Sequence, residues 1–361
     1  MSAVSSDLPY VSFENPDVMD HALGDPRGFL SDYPSGAVFD EVQRAPDIIR
    51  YLQQIVDEAG SNACFVLTGS QQFGVLSGVS QSLAGRSVVL HLLPFSLSER
   101  YRGGNPPRLD EVLYTGLYPP IHDRAIAPHA WLDSYIQLYV ERDVRQLVNV
   151  RDLSAFRRFV QLCAGRTGQI LNRAQLANDC GLATNTVAAW LSVLEASYVI
   201  FLLQPHFENF NKRLIKAPKL YFYDTGLAAR LLGIRSPAEL AVHSLRGHLF
   251  ETFVVAEFVK ARLHGGERPR LSYWRNNTGL EVDLIEESGE RLLPLEIKSG
   301  ATLNREFFAN LERWAALAGE RAGPSRLVYG GETSGLFRGV RYLSWRELSR
   351  PLDSPANISH S

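Results

Sequence analysis

The chain has 361 residues, 45% hydrophobic and 21% charged, with a formal net charge of −2. That length exceeds one ordinary core and implies two or three domains. The near-neutral balance excludes a globally basic nucleic-acid binder, so any such role must rest on local patches. The three cysteines, Cys64, Cys163 and Cys180, are odd in number and lack disulfide or zinc spacing. A reducing, cytoplasmic setting is expected. Met1 to Tyr10 carries no cationic start followed by an apolar run, and no apolar stretch reaches the ~20 residues of a membrane helix.

Along residues 1–130, short apolar runs at Tyr10-Phe13, Ala37-Phe39, Cys64-Leu67 and Val88-Leu92 alternate with helical patterns such as Pro46 to Ala59. This alternation predicts a parallel sheet covered by helices. Residues 131–153 form a helical linker, carrying the charged trio Glu141-Arg142-Asp143. Over 154–235 a helix at Phe156-Ala164 precedes Asn172-Asp179, Gly181 and Thr184-Glu195. Helix, glycine turn and helix outline a helix-turn-helix. Strand-like runs at Tyr198-Leu203 and Lys219-Tyr223 then suggest a winged helix, with Lys212, Arg213, Lys216 and Lys219 as a basic wing. Residues 240–348 form a further α/β unit, opened by an amphipathic helix over Gly247-Arg262. Strands follow at Leu271-Trp274, Glu281-Glu286, Leu292-Lys298, Ser325-Tyr329 and Val340-Leu343, with a helix at Arg305-Leu317. The tail, 349–361, is polar and expected to be disordered.

Gly36-Ala37-Val38-Phe39-Asp40-Glu41 is a short apolar strand ending in two acids. In nucleotide-hydrolysing P-loop proteins the first acid helps hold Mg²⁺ and the second polarises the attacking water. Thr68 and Ser70, after the strand Phe65-Leu67, are hydroxyls suited to sensing a γ-phosphate, and Arg86 suits phosphoryl charge stabilisation. Alternatively, the acids end a solvated turn and Arg86 caps a helix.

The blocks VFDEVQRAP, FVLTGSQQFGVLSGVSQSLAGR and LHLLPFSLSE resemble a family of prokaryotic AAA-type ATPases. Its C-terminal domain of unknown function is related to PD-(D/E)xK nucleases. The resemblance extends from Val11-Pro16 to Pro294-Gly300. It implies an ATP and Mg²⁺ site with Asp40 on Mg²⁺, Glu41 at the water, Thr68 and Ser70 at the nucleotide, and Arg86 at the phosphoryl charge. It also implies an upstream Gly-x-x-x-x-Gly-Lys-Ser/Thr loop. The sequence contains no Gly-Lys pair, and Tyr10-Phe13 corresponds to the family's second strand. The expectation is therefore an AAA-type core lacking its first strand, loop and helix, through a late start or through degeneration.

Glu251 on a helix, Asp283 on a strand, and Glu296 and Lys298 on the next strand follow the PD-(D/E)xK order. In that chemistry the carboxylates hold Mg²⁺ and the lysine orients water or neutralises charge. Glu-x-Lys places both side chains on one strand face. Val282 stands where the motif usually has proline. The alternative is a set of structural ion pairs, because this fold often serves other functions. Thr184, Asn185 and Thr186 begin a helix able to enter a major groove, and Lys212, Arg213 and Lys216 could meet phosphates. The absence of Lys or Arg from Thr184 to Ser197 weighs against tight DNA binding. DNA, a protein partner or a second copy of the chain are the partners considered, and no membrane is expected.

Overall fold

A computed structural model describes residues 8–59, 65–69, 83, 85–102, 104–124, 126–138, 152–206 and 216–350. The chain divides into two compact units, Met1–Val89 and Leu90–Ser361.

In the first unit β1 (Tyr10–Ser12), β2 (Ala37–Asp40) and β3 (Phe65–Leu67) pair in parallel in that order. Val11 lies opposite Phe39, and Val38 opposite Val66. Parallel neighbours require crossovers. Helices α1 (Pro16–Gly24) and α2 (Pro26–Ser31) join β1 to β2, and α3 (Pro46–Ala59) follows β2. Asn15 and Asp25 cap α1 and α2 through their side chains, each followed by a proline preset for a helix start. Phe13, Phe29 and Phe39 meet with ring centroids 5.6–5.8 Å apart, packed with Ile48, Ile49 and Leu52 of α3.

The expected strand at Val88-Leu92 does not form. The segment is irregular, with Val88 83% and Leu92 74% exposed. Its apolar pattern suits a strand, but among the described residues none pairs with it, and a strand exists only through its ladder.

The second unit begins with α4 (Leu97–Tyr101), α5 (Leu109–Thr115), α6 (Pro119–Asp123) and α7 (Pro128–Leu138). The remainder of the expected linker helix, with Glu141-Arg142-Asp143, lies outside the described residues. Next come α8 (Leu153–Ala164), β4 (Gln169–Ile170), α9 (Arg173–Cys180), α10 (Thr184–Ala196), β5 (Ile200–Leu203) and β6 (Lys219–Phe222). Gly181, at φ 70°, ends α9 in the left-handed conformation that glycine adopts without strain. The three strands form an antiparallel sheet ordered β4-β6-β5. Trp190 and Leu191 are buried, as expected of the inward face of α10.

After α11 (Thr225–Leu231) and α12 (Pro237–Val242), α13 spans Arg246–His264. This helix departs from the amphipathic expectation: every residue from Thr252 to Lys260 is buried. A helix packed on all sides must satisfy its charges internally. Glu257 accepts from the Leu97 amide at 2.6 Å, and Lys260 donates to the Phe95 carbonyl at 2.9 Å and to Glu257 at 3.2 Å. These bonds build the Pro94-Ser98 segment into the second unit. A second tie is made by buried Asp224, which accepts from the Leu117 amide at 2.7 Å and caps α11 through Leu227 at 2.9 Å. Gly116 leaves room for it: a Cβ there would lie 2.3 Å from an Asp224 oxygen.

The last elements are β7 (Leu271–Arg275), β8 (Glu281–Ser288), β9 (Arg291–Lys298), α14 (Ala309–Ala318), β10 (Arg326–Tyr329), β11 (Gly335–Phe337) and β12 (Val340–Ser344). They form a six-stranded mixed sheet ordered β11-β12-β10-β9-β8-β7. One apolar core runs from Leu97 through α8, α10, β6 and α13 to β9 and Leu348. Among the described residues no helix is long and apolar enough to cross a membrane.

Candidate functional sites

In the first unit Asp40 ends β2. Its two oxygens accept from the Tyr10 hydroxyl at 2.5 Å and from the Thr68 hydroxyl. Ladder bonding extends past β3, with the Thr68 amide on the Phe39 carbonyl at 2.8 Å and the Val42 amide on the Thr68 carbonyl at 3.0 Å. The Thr68 and Tyr10 hydroxyls hold the Asp40 carboxyl below its ordinary pKa, against some burial. Glu41 follows at φ 56°, a left-handed conformation that turns the chain out of the strand, and its carboxylate accepts from Gln43. Asp40, Glu41 and Thr68 thus gather at the carboxyl ends of adjacent parallel strands, where open α/β sheets bind ligands. Ser70 lies outside the described residues. Arg86 pairs with Asp57 of α3 through two bonds of 2.5 and 3.0 Å, both side chains substantially solvated.

The second site lies where β6 and α13 meet β8 and β9. Glu251 of α13, Glu281 and Asp283 of β8, and Glu296 and Lys298 of β9 are joined by Lys219 and Tyr221 of β6. Lys219 Nζ lies 2.8 Å from Glu251, 2.5 Å from Glu281 and 4.0 Å from Asp283. The Tyr221 hydroxyl donates to Glu251 at 2.6 Å. Asp283 also accepts from the Ile297 amide at 2.8 Å and lies 3.9 Å from Lys298. Lys298 donates to Glu296 at 2.6 Å, and Asn310 of α14 donates to the same oxygen at 3.2 Å. The other Glu296 oxygen is buried without a hydrogen-bond partner. Arg275 donates to Glu281 at 2.8 Å from the rim.

Burial, with the Glu251 charge beside it, pushes Asp283 up to about 6 despite Lys298 and Lys219. Burial and Asp283 push Glu296 up to about 8. Burial acts against the Lys219 ammonium, but Tyr221, Glu251, Asp283 and Glu281 outweigh it, so its pKa rises well above the usual lysine value. The expected metal ligands Glu251, Asp283 and Glu296 do converge. The space between Glu251, Glu281 and Asp283 is filled by an ammonium, however, and among the described residues no three His, Cys, Asp or Glu side chains are placed to hold a metal ion. In this arrangement the residues do not fit a divalent cation.

Lys219 is the residue that sequence reasoning misplaced. Read as the last cation of a basic wing, it is 2% exposed and faces carboxylates. The available signal was alternation: Lys219 and Tyr221 share one face of β6, as Glu281 and Asp283 share one face of β8. Of the DNA candidates, Thr184 and Asn185 are exposed and Thr186 half-buried at the start of α10, and Lys216 is exposed. Lys212 and Arg213 lie outside the described residues.

Residues 2–101 match an AAA domain, residues 106–238 a domain of unknown function (DUF8612), and residues 246–348 another domain of unknown function (DUF4143). The class is thus an AAA domain followed by two domains of undetermined role. An uncharacterized protein of Mycobacterium tuberculosis and one of Mycobacterium bovis are each 32% identical over 306 residues, covering 83% of this chain and 67% of theirs. The chain belongs to the family of these mycobacterial proteins. The solved structure of protein VC1899 from Vibrio cholerae aligns over 95% of each chain at 12% identity, with a TM-score of 0.23, too low to carry an argument.

Proposed function

We propose that the chain is an AAA-type ATPase-like protein whose nucleotide domain acts through a nuclease-like effector unit on DNA or a protein partner. The supporting observation is the gathering of Asp40, Glu41 and Thr68 at the carboxyl ends of β2 and β3. In this reading Asp40 holds Mg²⁺ of a bound ATP, Glu41 orients the attacking water, and Thr68 and Ser70 meet the nucleotide. Arg86 stabilises phosphoryl charge after leaving Asp57. The sequence has no Gly-Lys phosphate loop, so this polypeptide binds Mg-ATP weakly. Calorimetric titration with Mg-ATP tests the reading. Weak binding removed by Asp40→Asn supports it, whereas tight binding, or binding indifferent to Asp40, sinks it.

The order helix, strand, helix, helix, strand, strand from α8 to β6 supports a winged-helix reading of the middle segment. In this reading Thr184, Asn185, Thr186, Lys212, Arg213 and Lys216 are the residues that would contact DNA. The acidic cluster on α13, β8 and β9 follows the nuclease-like order. The Lys219 ammonium inside it favours a binding role over cleavage. Plasmid cleavage with Mn²⁺ that Asp283→Ala abolishes would reverse that preference.

A further inference from the structure

We propose that Lys219 is the resident cation of the buried acidic centre, bonding the β4-β6-β5 sheet to the C-terminal sheet and excluding divalent metal ions from it. The proposal does not depend on the nucleotide reading. Three independent features lead to it.

The first is position. The Lys219 ammonium touches Glu251 and Glu281 and faces Asp283, the three carboxylates from α13 and β8 that would otherwise confront one another. Carboxylates brought this close in a buried space require a cation or a proton. The second is enclosure. Lys219 is 2% exposed, and the Tyr273 ring centroid lies 5.5 Å from its Nζ. Among the described residues the ammonium is enclosed by aromatic and carboxylate groups. The third is division of labour. Lys298 is engaged by Glu296 at 2.6 Å and lies 3.9 Å from Asp283. Lys219 is therefore the cation of Glu251, shares Glu281 with Arg275 and Asp283 with Lys298, and Lys298 is that of Glu296.

Lys219 is carried by the middle segment, whereas Glu251, Glu281 and Asp283 belong to the segment matched by DUF4143. The ion cluster thus joins two differently classified parts of the chain into one body. A divalent ion and the ammonium compete for the same oxygen atoms, so occupancy by Lys219 excludes the metal.

The test uses the full chain and thermal unfolding followed by tryptophan fluorescence. All five tryptophans, Trp131, Trp190, Trp274, Trp314 and Trp345, lie in the second unit, so the signal reports that unit alone. Wild type should show no Tm change with millimolar Mn²⁺ or Mg²⁺. Lys219→Met should lower Tm by roughly 10 °C. Combining Lys219→Met with Glu251→Gln and Glu281→Gln should restore at least half of that loss, because the two carboxylates in contact with Lys219 lose their charge with it and Asp283 keeps Lys298. A Tm rise of wild type with Mn²⁺ would overturn the proposal. So would an unchanged Tm in Lys219→Met, or a triple variant no more stable than the single one. If Lys219→Met does not fold, recovery of a folded triple variant supports the proposal and its failure to fold counts against it.

Discussion

Asp40 and Asp283 both sit on strands of α/β units, and each is reached by groups from neighbouring strands. Their surroundings differ in kind. Asp40 is half-buried, its oxygens meet the hydroxyls of Tyr10 and Thr68, and among the described residues no cation pairs with it. Asp283 is buried, lies beside Glu251 and Glu281, and is approached by Lys219 and Lys298. Hydroxyl donors stabilise an anion without cancelling its charge, which leaves Asp40 electrostatically ready for an external cation. The internal cations Lys219, Lys298 and Arg275 offset charge from within, which leaves the Asp283 cluster less to offer an external cation. Resemblance to a nucleotide site and to a nuclease site carries different weight for this reason: in the second case the chain itself supplies the cation.

The largest effect expected from this contrast is at Lys219. Replacing it with methionine removes one partner of a buried ion cluster and strands the carboxylates, a change that costs about 3–5 kcal/mol. Urea unfolding followed by tryptophan fluorescence reads it directly. A loss below about 1 kcal/mol would place the cluster among weakly coupled surface ion pairs and erase the distinction between the two acidic groups.

The next effect is one of sign. The Asp40 pKa is lowered on folding, so its contribution to stability is present above about pH 4 and is lost as pH falls below that value. Asp283 and Glu296 are raised, to about 6 and about 8. These two carboxyls therefore bind more protons in the folded than in the unfolded chain between about pH 4 and pH 8, and their contribution to stability falls as pH rises through that window. The fall is on the order of a few kcal/mol. The groups facing this pair are Lys219, Glu251, Glu281, Lys298 and Asn310. Urea midpoints of the tryptophan signal at pH 5 and pH 8, compared between wild type and Glu296→Gln, isolate the Glu296 part, the wild-type change from pH 5 to pH 8 being the more negative. A variant whose change is as negative as that of wild type would reverse the assignment of protons in the cluster.

Much of the fold was legible because apolar periodicity and capping residues are local. β2, β3, β5 and β8 to β10 lie within a residue or two of the expected runs, and Asn15, Asp25 and Asn172 mark helix starts by side-chain caps. What was not legible depends on distant partners. Val88-Leu92 has a strand's composition, but whether it forms a strand depends on a neighbour that its own residues do not encode. α13 reads as amphipathic, yet its Glu257 and Lys260 are buried because the Leu97 amide and the Phe95 carbonyl, more than 150 residues earlier, satisfy them. Lys219 follows a run of basic residues that suggests a solvated loop, and only the pairing of β6 beside α13 turns it inward. The acids of the candidate sites were identifiable from spacing, whereas the cation that decides the character of one of them was not.

A smaller effect is expected at Asp40 itself. Asp40→Asn keeps the shape but exchanges charged acceptors for a neutral amide facing two hydroxyls, costing about 1 kcal/mol at neutral pH for a half-exposed group. The first unit contains no tryptophan, so hydrogen exchange of the Thr68 amide, bonded to the Phe39 carbonyl, is the suitable probe. Modestly faster exchange fits the hydroxyl-held arrangement. A loss as large as that of Lys219→Met would mean that Asp40 is committed to holding the fold and is not available to a ligand.

Arg86 offers the finest discrimination. It is a cation of the first unit with a carboxylate partner, as Lys219 is in the second, but its pairing with Asp57 is solvated, the side chains being 36% and 48% exposed. Water already stabilises both charges, and the ion pair is screened by salt. Arg86→Ala should therefore leave amide exchange across β2 and α3 within experimental error, at low and at physiological ionic strength alike. Lys219→Met should be equally insensitive to salt but large. If Arg86→Ala instead loosens β2, the first unit also depends on an internal ion pair, Arg86 cannot leave Asp57 for a phosphoryl group at small cost, and its proposed role in charge stabilisation fails along with the contrast between the two acidic sites.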